Sequence, residues 1–524
     1  MGEKYGVNWA GSGCKRLGKS GRLKSSGVKT EEKYSLKKLV FGSGSLAIIF
    51  NNIFESSELP TAWKTSFILT LHKKGKKSDV SNYRPISITS SSCKVMESII
   101  HDSISSYLLS NDLLSDHQHG FLKKRSTLTN LLHSIRNWHS SLDDKKSTDI
   151  IYIDFAKAFD SVSHPKLLHK LKSYGITGNI FKFISAWLAD RYQIVKLEGY
   201  LSIPKLVRSG VLQGSVLGPL LFLIFINDLV DCIPPEAHPS LFADDIKLFS
   251  DSETINTPNS PGTVYCPLLQ SSLDAVFNWS RLWQLGIATS KCSCLSISNL
   301  RTPQPRSYNI NSFVLPQVTS CRDLGVIIDD KLSFSPHVLF TAKKASIRSY
   351  LITRCFHSRN PKILTTAFVA YVRPILEYVS PVWSPHLSRD IELLESVQRR
   401  FSKSFHNLST LPYSTRLTRL SLPSLLSRRI KTDLSTCFLI TNSLTHLNSS
   451  IFFTPRHSTT TRGHPFTLSK PKVRLNSSKF SFFCRVIDHW NSLLPNIVSA
   501  GLYSVFKARL NSINFPDLYN CLAG

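Results

Sequence analysis

Acidic residues are scarce: 35 Asp and Glu stand against 64 Lys and Arg in 524 residues, a formal net charge of +29. So lopsided a chain points to a polyanionic partner, because each Lys or Arg set on a phosphate releases a counterion. Charge alone does not separate nucleic acid from a membrane surface. Long apolar runs are also missing. The longest, residues 216–226, stops at Asn227-Asp228, short of the roughly 18 residues that a spanning helix needs. The N-terminus opens on a polar Gly/Ser/Lys-rich stretch without an early apolar core, which speaks against a secretory signal. No C-x2-C spacing occurs. The eleven cysteines, an odd number, are scattered singly, with Cys292 and Cys294 the closest pair. A structural zinc site is therefore unsupported, and free thiols in a reducing compartment are expected. No internal repeat or long heptad run is present. Only two methionines occur, a scarcity without a physical account.

What is present sets the scale. At 42% hydrophobic residues, the chain has enough apolar surface for real cores, which excludes global disorder. Its length implies two to four domains. Residues 1–40 carry ten Lys/Arg against three Glu, and from Val397 onward 17 Lys/Arg face three Asp. Half of the net charge thus lies in the last quarter, as expected of a C-terminal region that holds nucleic acid rather than reacting with it.

Residues 1–45 read as a disordered or truncated remnant, and residues 46–54 (LAIIFNNIF) carry helical apolar spacing. From 54 to about 328 short apolar strands alternate with amphipathic stretches, an α/β pattern. Within it, residues 251–266 read as a turn-rich surface loop. Residues 329–445 turn mainly helical. Residues 446–480, rich in Ser, Thr, Asn and Pro, read as a mobile basic linker, followed by a compact last unit over 482–510.

Three motifs carry chemistry. In Ile150-Ile151-Tyr152-Ile153-Asp154-Phe155-Ala156-Lys157-Ala158-Phe159-Asp160, a buried strand ends on an Asp. A carboxylate there is costly unless it is paired, binds a metal, or caps the following helix. In Leu241-Phe242-Ala243-Asp244-Asp245-Ile246-Lys247-Leu248-Phe249, two apolar arms flank an Asp pair, as in a hairpin with acidic groups at its tip. Adjacent anions repel unless a cation lies between them, although a plain Asp-containing turn would read the same way. If the two strands pair, Asp154, Asp244 and Asp245 would hold two Mg2+ ions about 3.5–4 Å apart, suited to activating an attacking oxygen and stabilising a leaving one. In Gly210-Val211-Leu212-Gln213-Gly214-Ser215-Val216-Leu217-Gly218-Pro219, Gly214 allows close backbone approach and Ser215 can cap a helix. Gln213 there offers both a donor and an acceptor beside a base or nucleotide.

In this order the three motifs resemble motifs A, B and C of a reverse transcriptase, most of all those of non-LTR (LINE-type, jockey-like) retrotransposons. Further blocks resemble the family in register. Upstream these are Trp63-Lys64, Lys73-Lys74-Gly75, Asn82-Tyr83-Arg84-Pro85-Ile86-Ser87, Gln118-His119-Gly120-Phe121 and Arg125-Ser126-Thr127. Downstream they are Trp279 with Lys291, Leu324-Gly325-Val326, Leu376-Glu377-Tyr378, Trp383-Ser384-Pro385 and Trp490-Asn491-Ser492-Leu493-Leu494-Pro495. The resemblance implies an α/β (α+β) right-hand polymerase, with fingers and palm over 54–328 around a catalytic antiparallel sheet. A helical thumb over 329–445 would follow, and then, over 446–524, a basic linker and a small nucleic-acid-binding unit.

By resemblance, Asp154, Asp244 and Asp245 are the metal ligands, for two Mg2+ ions with Mn2+ as an alternative. Lys74 and Arg84 meet the triphosphate, and Phe155, Gln213 and Gly214 line the nucleotide or template. Phe159 lies under the sugar, where it leaves no room for a 2′-hydroxyl. Lys291 protonates the leaving pyrophosphate, although Ala288-Thr289-Ser290 lacks the Asn often seen before it. Leu324 and Gly325 form the primer grip. Implied partners are an RNA template, a DNA primer or target and dNTPs, with nuclear and cytoplasmic location and no membrane. Family members often begin with an endonuclease domain, for which residues before 46 are too few, and neither an RNase H nor a zinc knuckle is evident. Two other readings share these motifs. One is an inactive or repurposed relic that binds RNA. The other is an RNA-dependent RNA polymerase, which Phe159 and Ala243 disfavour, since that class is expected to place a small polar or acidic group and a Gly at those positions.

Overall fold

The computed structural model describes residues 44–73, 75–252, 266–299, 305–358, 360–456, 464–513 and 515. The expectations for most of the N-terminal stretch, for Lys74 and for residues 253–265 of the turn-rich loop lie outside the described residues. In chain order the strands that matter are β1 (Thr65–His72), β2 (Tyr83–Ile88), β3 (Ser147–Ile153), β4 (Arg191–Leu197), β5 (Tyr200–Leu201), β6 (Lys205–Val207), β7 (His238–Phe242), β8 (Asp245–Ser252) and β9 (Ser293–Ile297). The architecture is mixed α/β, in two compact units that interleave along the chain. The first takes the described residues up to Ser115, then Ala156–Pro234 and Asn278–Gly286. The second takes Asp116–Phe155, Pro235–Phe277 and the described residues from Ile287 onward.

In the first unit, the strand order is β2-β1-β4-β5, with β6 also on β4; β1 and β4 run parallel and the other pairs antiparallel. The long apolar run becomes the helix Leu217–Ile226, buried on every side because it has no polar face to offer water. It packs against the helices Ser91–Ser110 and His164–Ser173. Its first amides need acceptors, and a buried carboxylate supplies them. Glu97 Oε2 accepts from the Val216 N–H (2.6 Å) and the Leu217 N–H (3.2 Å), while Oε1 accepts from Trp187 Nε1 (3.0 Å) and Cys93 Sγ (3.3 Å). An anion at a helix N-terminus is favoured by the helix dipole.

In the second unit, β3 lies at the centre of a sheet ordered Gln317–Val318, β9, β3, β8, β7. Its unbroken apolar run is what a strand covered on both faces requires, and Ile150 and Ile151 are fully buried. The helix Thr127–Asp143 packs on this sheet. Ser126 starts the helix with a capping box, its side chain accepting from the Thr129 N–H while the Thr129 hydroxyl accepts from the Ser126 N–H. Buried Trp138 meets Phe249 edge-on at 5.8 Å. Residues beyond 334 are mainly helical, from Ser335–Cys355 to Tyr503–Asn511. One continuous core joins Trp138 and Ile150 to Leu295, Leu394, Phe438 and Trp490.

Where a mobile linker was expected over 446–480, the described residues are folded. They carry the helices Ser449–Phe452 and Asn476–Lys479 and the paired strands Thr454–Pro455 and Leu468–Ser469. Phe452, Phe453 and Leu468 are buried, and Arg474 donates to the Leu142 carbonyl. With Leu447 also buried, four apolar side chains outweigh a polar composition here. Among the described residues no helix is long and apolar enough to cross a membrane.

Candidate active site

β3 runs antiparallel to β8, with Ile153 opposite Ile246. The residue after Ile153 is Asp154 and the residue before Ile246 is Asp245, so this register brings the acidic strand end to the acidic hairpin. β7 and β8 close on a two-residue turn, Ala243-Asp244, with Phe242 paired to Asp245. Ala243 takes φ +57°, left-handed backbone that costs a residue with a Cβ roughly 1–2 kcal/mol.

Gln118 holds that turn in place. Its buried amide oxygen accepts from the Ala243 N–H (2.8 Å) and the Gly120 N–H (2.7 Å), and its amide nitrogen donates to the Ala243 carbonyl (3.3 Å). The His119 N–H donates to the Leu241 carbonyl and the Leu241 N–H to the His117 carbonyl, extending the brace along β7. Gly120 passes so close that a Cβ there would lie 2.5 Å from the Ala243 nitrogen. The sequence placed Gln118-His119-Gly120 in the family pattern without a duty. Its duty is to grip the acidic turn.

The three carboxylates share one electrostatic neighbourhood. Asp245 keeps solvent on one side. Partial loss of hydration, with the like charges of Asp244, Asp154 and Asp323, nevertheless pushes its carboxyl up to about 6, against a lowering by Lys247. Asp154, one-third exposed, accepts from Lys291 Nζ at 2.6 Å, and its carbonyl accepts from the Ala288 N–H. Expected near a leaving group, Lys291 thus pairs with the first acidic residue. Like charges repel, and Asp154 takes a cationic partner of its own. Among the described residues, no three Asp, Glu, His or Cys side chains form a preassembled metal cage. The donor chemistry does fit a hard divalent cation: oxygen ligands only, with a carboxyl whose raised affinity for a proton a cation would relieve.

Phe155 is buried, and its backbone bridges Ile287. Leu324 and Gly325 form the turn of a hairpin, at φ +45° and +93°, between Ser320–Asp323 and Val326–Asp329.

The first unit gathers a second set. The Ser87 N–H on β2 donates to the Gln213 carbonyl (2.7 Å), and a Cβ on Gly214 would meet the Ser87 carbonyl oxygen at 2.5 Å. At φ +113° that position is also closed to an ordinary side chain. The Gln213-Gly214 loop is thereby pinned to the strand that carries exposed Arg84. Gln213 Nε2 reaches Asp160 Oδ1 at 3.5 Å. Phe159 is half-buried and stacks on Phe222 with centroids 4.4 Å apart and planes 14° apart. Ser215 Oγ accepts from the Gly218 N–H (2.9 Å), as expected of a cap. Trp279 Nε1 donates to Asp228 Oδ1 (2.9 Å) and its ring faces Lys170 Nζ, a structural cluster.

Residues 71–328, which carry both sets, match the family described as reverse transcriptase (RNA-dependent DNA polymerase). The curated proteins that it resembles include polymerases of mobile elements. It is 29% identical over 388 residues to a probable RNA-directed DNA polymerase from transposon BS of Drosophila melanogaster, covering 72% of this chain and 41% of that one. It is 31% identical over 301 residues to the RNA-directed DNA polymerase from mobile element jockey of the same fly, covering 56% and 32%. The chain thus spans less than half the length of these relatives. A solved apo telomerase from Candida tropicalis, 10% identical with a TM-score of 0.35, covers 54% of this chain and 59% of that one, too distant to bear on the fold.

Proposed function

We propose that this chain is the RNA-directed DNA polymerase of a non-LTR retrotransposon. It would extend a DNA primer 3′-hydroxyl with dNTPs on an RNA template. One observation carries the reading: the antiparallel register of Ile153 with Ile246, which sets Asp154 beside the Asp244-Asp245 turn. Asp154, Asp244 and Asp245 would hold two Mg2+ ions, which when bound supply charge stabilisation at the attacked phosphate and at the attacking and leaving oxygens.

The remaining work falls to the chain's own residues. Gln118 keeps the acidic turn in its left-handed conformation. Lys291 places a positive charge at Asp154. Arg84 and Lys74 would neutralise the triphosphate, Arg by two parallel hydrogen bonds and Lys as a point charge. Gln213, pinned beside β2, would touch the nucleotide or its templating base, as would Gly214, and Phe155 would contact nucleotide or template in its turn. Phe159, its ring fixed by Phe222, would exclude a 2′-hydroxyl. Leu324 and Gly325 would support the primer. In the right-hand description, fingers and palm lie within 54–328, a helical thumb within 329–445, and a basic nucleic-acid-holding region within 446–524.

The test is primer extension on poly(rA)/oligo(dT) with Mg2+. Extension is expected, and Asp154→Asn or Asp245→Asn should abolish it while RNA binding persists. A chain that binds RNA yet extends nothing would be the RNA-binding relic instead.

A further inference from the structure

Two contacts converge on the turn between Asp323 and Val326, one from Lys247, a neighbour of Asp245, the other from Tyr378. Lys247 sits on β8 two positions after Asp245, on the same side of the strand. Its ammonium meets Asp323 Oδ2 at 2.6 Å, with side chains only 3% and 7% exposed. Asp323 immediately precedes Leu324. From the other side, Tyr378 donates its hydroxyl proton to the Leu324 carbonyl at 3.0 Å. Its ring also closes over Gly325, where a Cβ would lie 3.2 Å away.

A buried ion pair is a weak stabiliser beside an apolar pair of equal volume, but both charges lose water and so accept only one geometry. The turn needs such fixing. With positive φ at both central residues it is the primed type, which favours Asn-Gly or Gly-Gly, yet Leu324 occupies the first place. Leu324 itself packs partly buried against the core, and Tyr378 and Lys247 hold its two flanks.

We propose that Lys247 and Tyr378 are positioning residues. They lock the Asp323–Val326 turn to the strand that carries Asp245, and so fix where a primer 3′ end lies relative to the carboxylates. This rests on the polymerase reading and extends it. Neither residue touches substrate; Lys247 acts through Asp323, and Tyr378 through the Leu324 carbonyl.

The experiment is single-turnover extension by the full chain from preformed enzyme–primer–template at saturating dNTP. It compares the unsubstituted chain with Tyr378→Phe, Lys247→Met and the double variant Lys247→Met/Asp323→Asn. Burst amplitude reports how much protein is folded and bound, and the rate constant reports alignment. The expected result is a rate constant lowered on the order of 10- to 100-fold for both Lys247 variants, the scale set by misplacements of about 1 Å. A smaller fall is expected for Tyr378→Phe, and the dNTP dependence should be unchanged throughout. Should Lys247→Met fail to fold, the double variant, which leaves no charge buried alone, and Tyr378→Phe, which loses one exposed hydroxyl, still decide. Rate constants that stay put while amplitudes fall, or that do not change at all, would overturn the proposal and leave these contacts as structure only. No extension by the unsubstituted chain would be a different failure, that of the polymerase reading beneath it.

Discussion

Gly120→Ala probes how tightly the acidic turn is gripped. The added Cβ would lie 2.5 Å from the Ala243 nitrogen and 3.2 Å from its Cα. Both are backbone atoms, so no rotamer relieves the overlap. Ordinary contact begins at 3.4 Å, so the hairpin, or the segment carrying Gln118, must shift by about 0.9 Å. Forcing a methyl into a packed site typically costs about 1–3 kcal/mol. The effect on activity should be greater, because Asp244 and Asp245 follow Ala243 directly and a displacement near 1 Å costs on the order of 100-fold in rate. The assay pairs thermal unfolding with primer extension under single-turnover conditions. A folded variant with a rate constant reduced about 100-fold is expected. A folded variant as fast as the unsubstituted chain would refute the premise that this contact sets the carboxylates' position, and with it the role given to Gln118.

Three further outcomes follow from the geometry. Glu97→Ala should destabilise the protein by about 3 kcal/mol or more, because Trp187 Nε1 and two helix amides would lose their buried acceptor; urea denaturation giving less than 1 kcal/mol would contradict the capping account. Burial, reinforced by Arg136 and Arg485 and opposed by Asp143, holds His139 down to about 4. Its folded value lies below the free one, so the stability it contributes is complete above about pH 6.5 and is lost as pH falls towards 4. By linkage that is about 2 kcal/mol between pH 7 and pH 5. His139→Gln should flatten the pH dependence of urea unfolding by that amount, and an unchanged slope would count against it. Phe159→Ala should narrow the preference for dNTPs over rNTPs by on the order of tenfold, read from competing incorporation; indifference to the substitution would remove the steric role.

The elements that carry the acidic residues were legible for a specific reason. A strand covered on both faces must be written as an unbroken apolar run, and residues 150–153 satisfy that with little ambiguity. Two apolar arms around Asp-Asp likewise leave few structures other than a hairpin. Their meeting was harder to read, because the register of Ile153 with Ile246 is a property of neither segment alone. Only the family order of the motifs suggested it. The bracing contacts were not legible at all. Nothing in the second arm names a partner for Lys247, and that partner, Asp323, lies 76 residues on, just before the Leu324-Gly325-Val326 block. The pairing of Lys291 with Asp154, 137 residues away, was likewise not readable from either segment. The composition of 446–480 concealed the buried apolar residues Leu447, Phe452, Phe453 and Leu468, since a few well-placed side chains order a segment that averages as polar. These misses share one cause. A carboxylate that must meet a cation leaves little choice of residue, and so it shows in the letters. A brace has many equivalent solutions, such as Gln118 on Ala243 or Tyr378 on Leu324, and its identity is decided only by which surfaces the fold brings together.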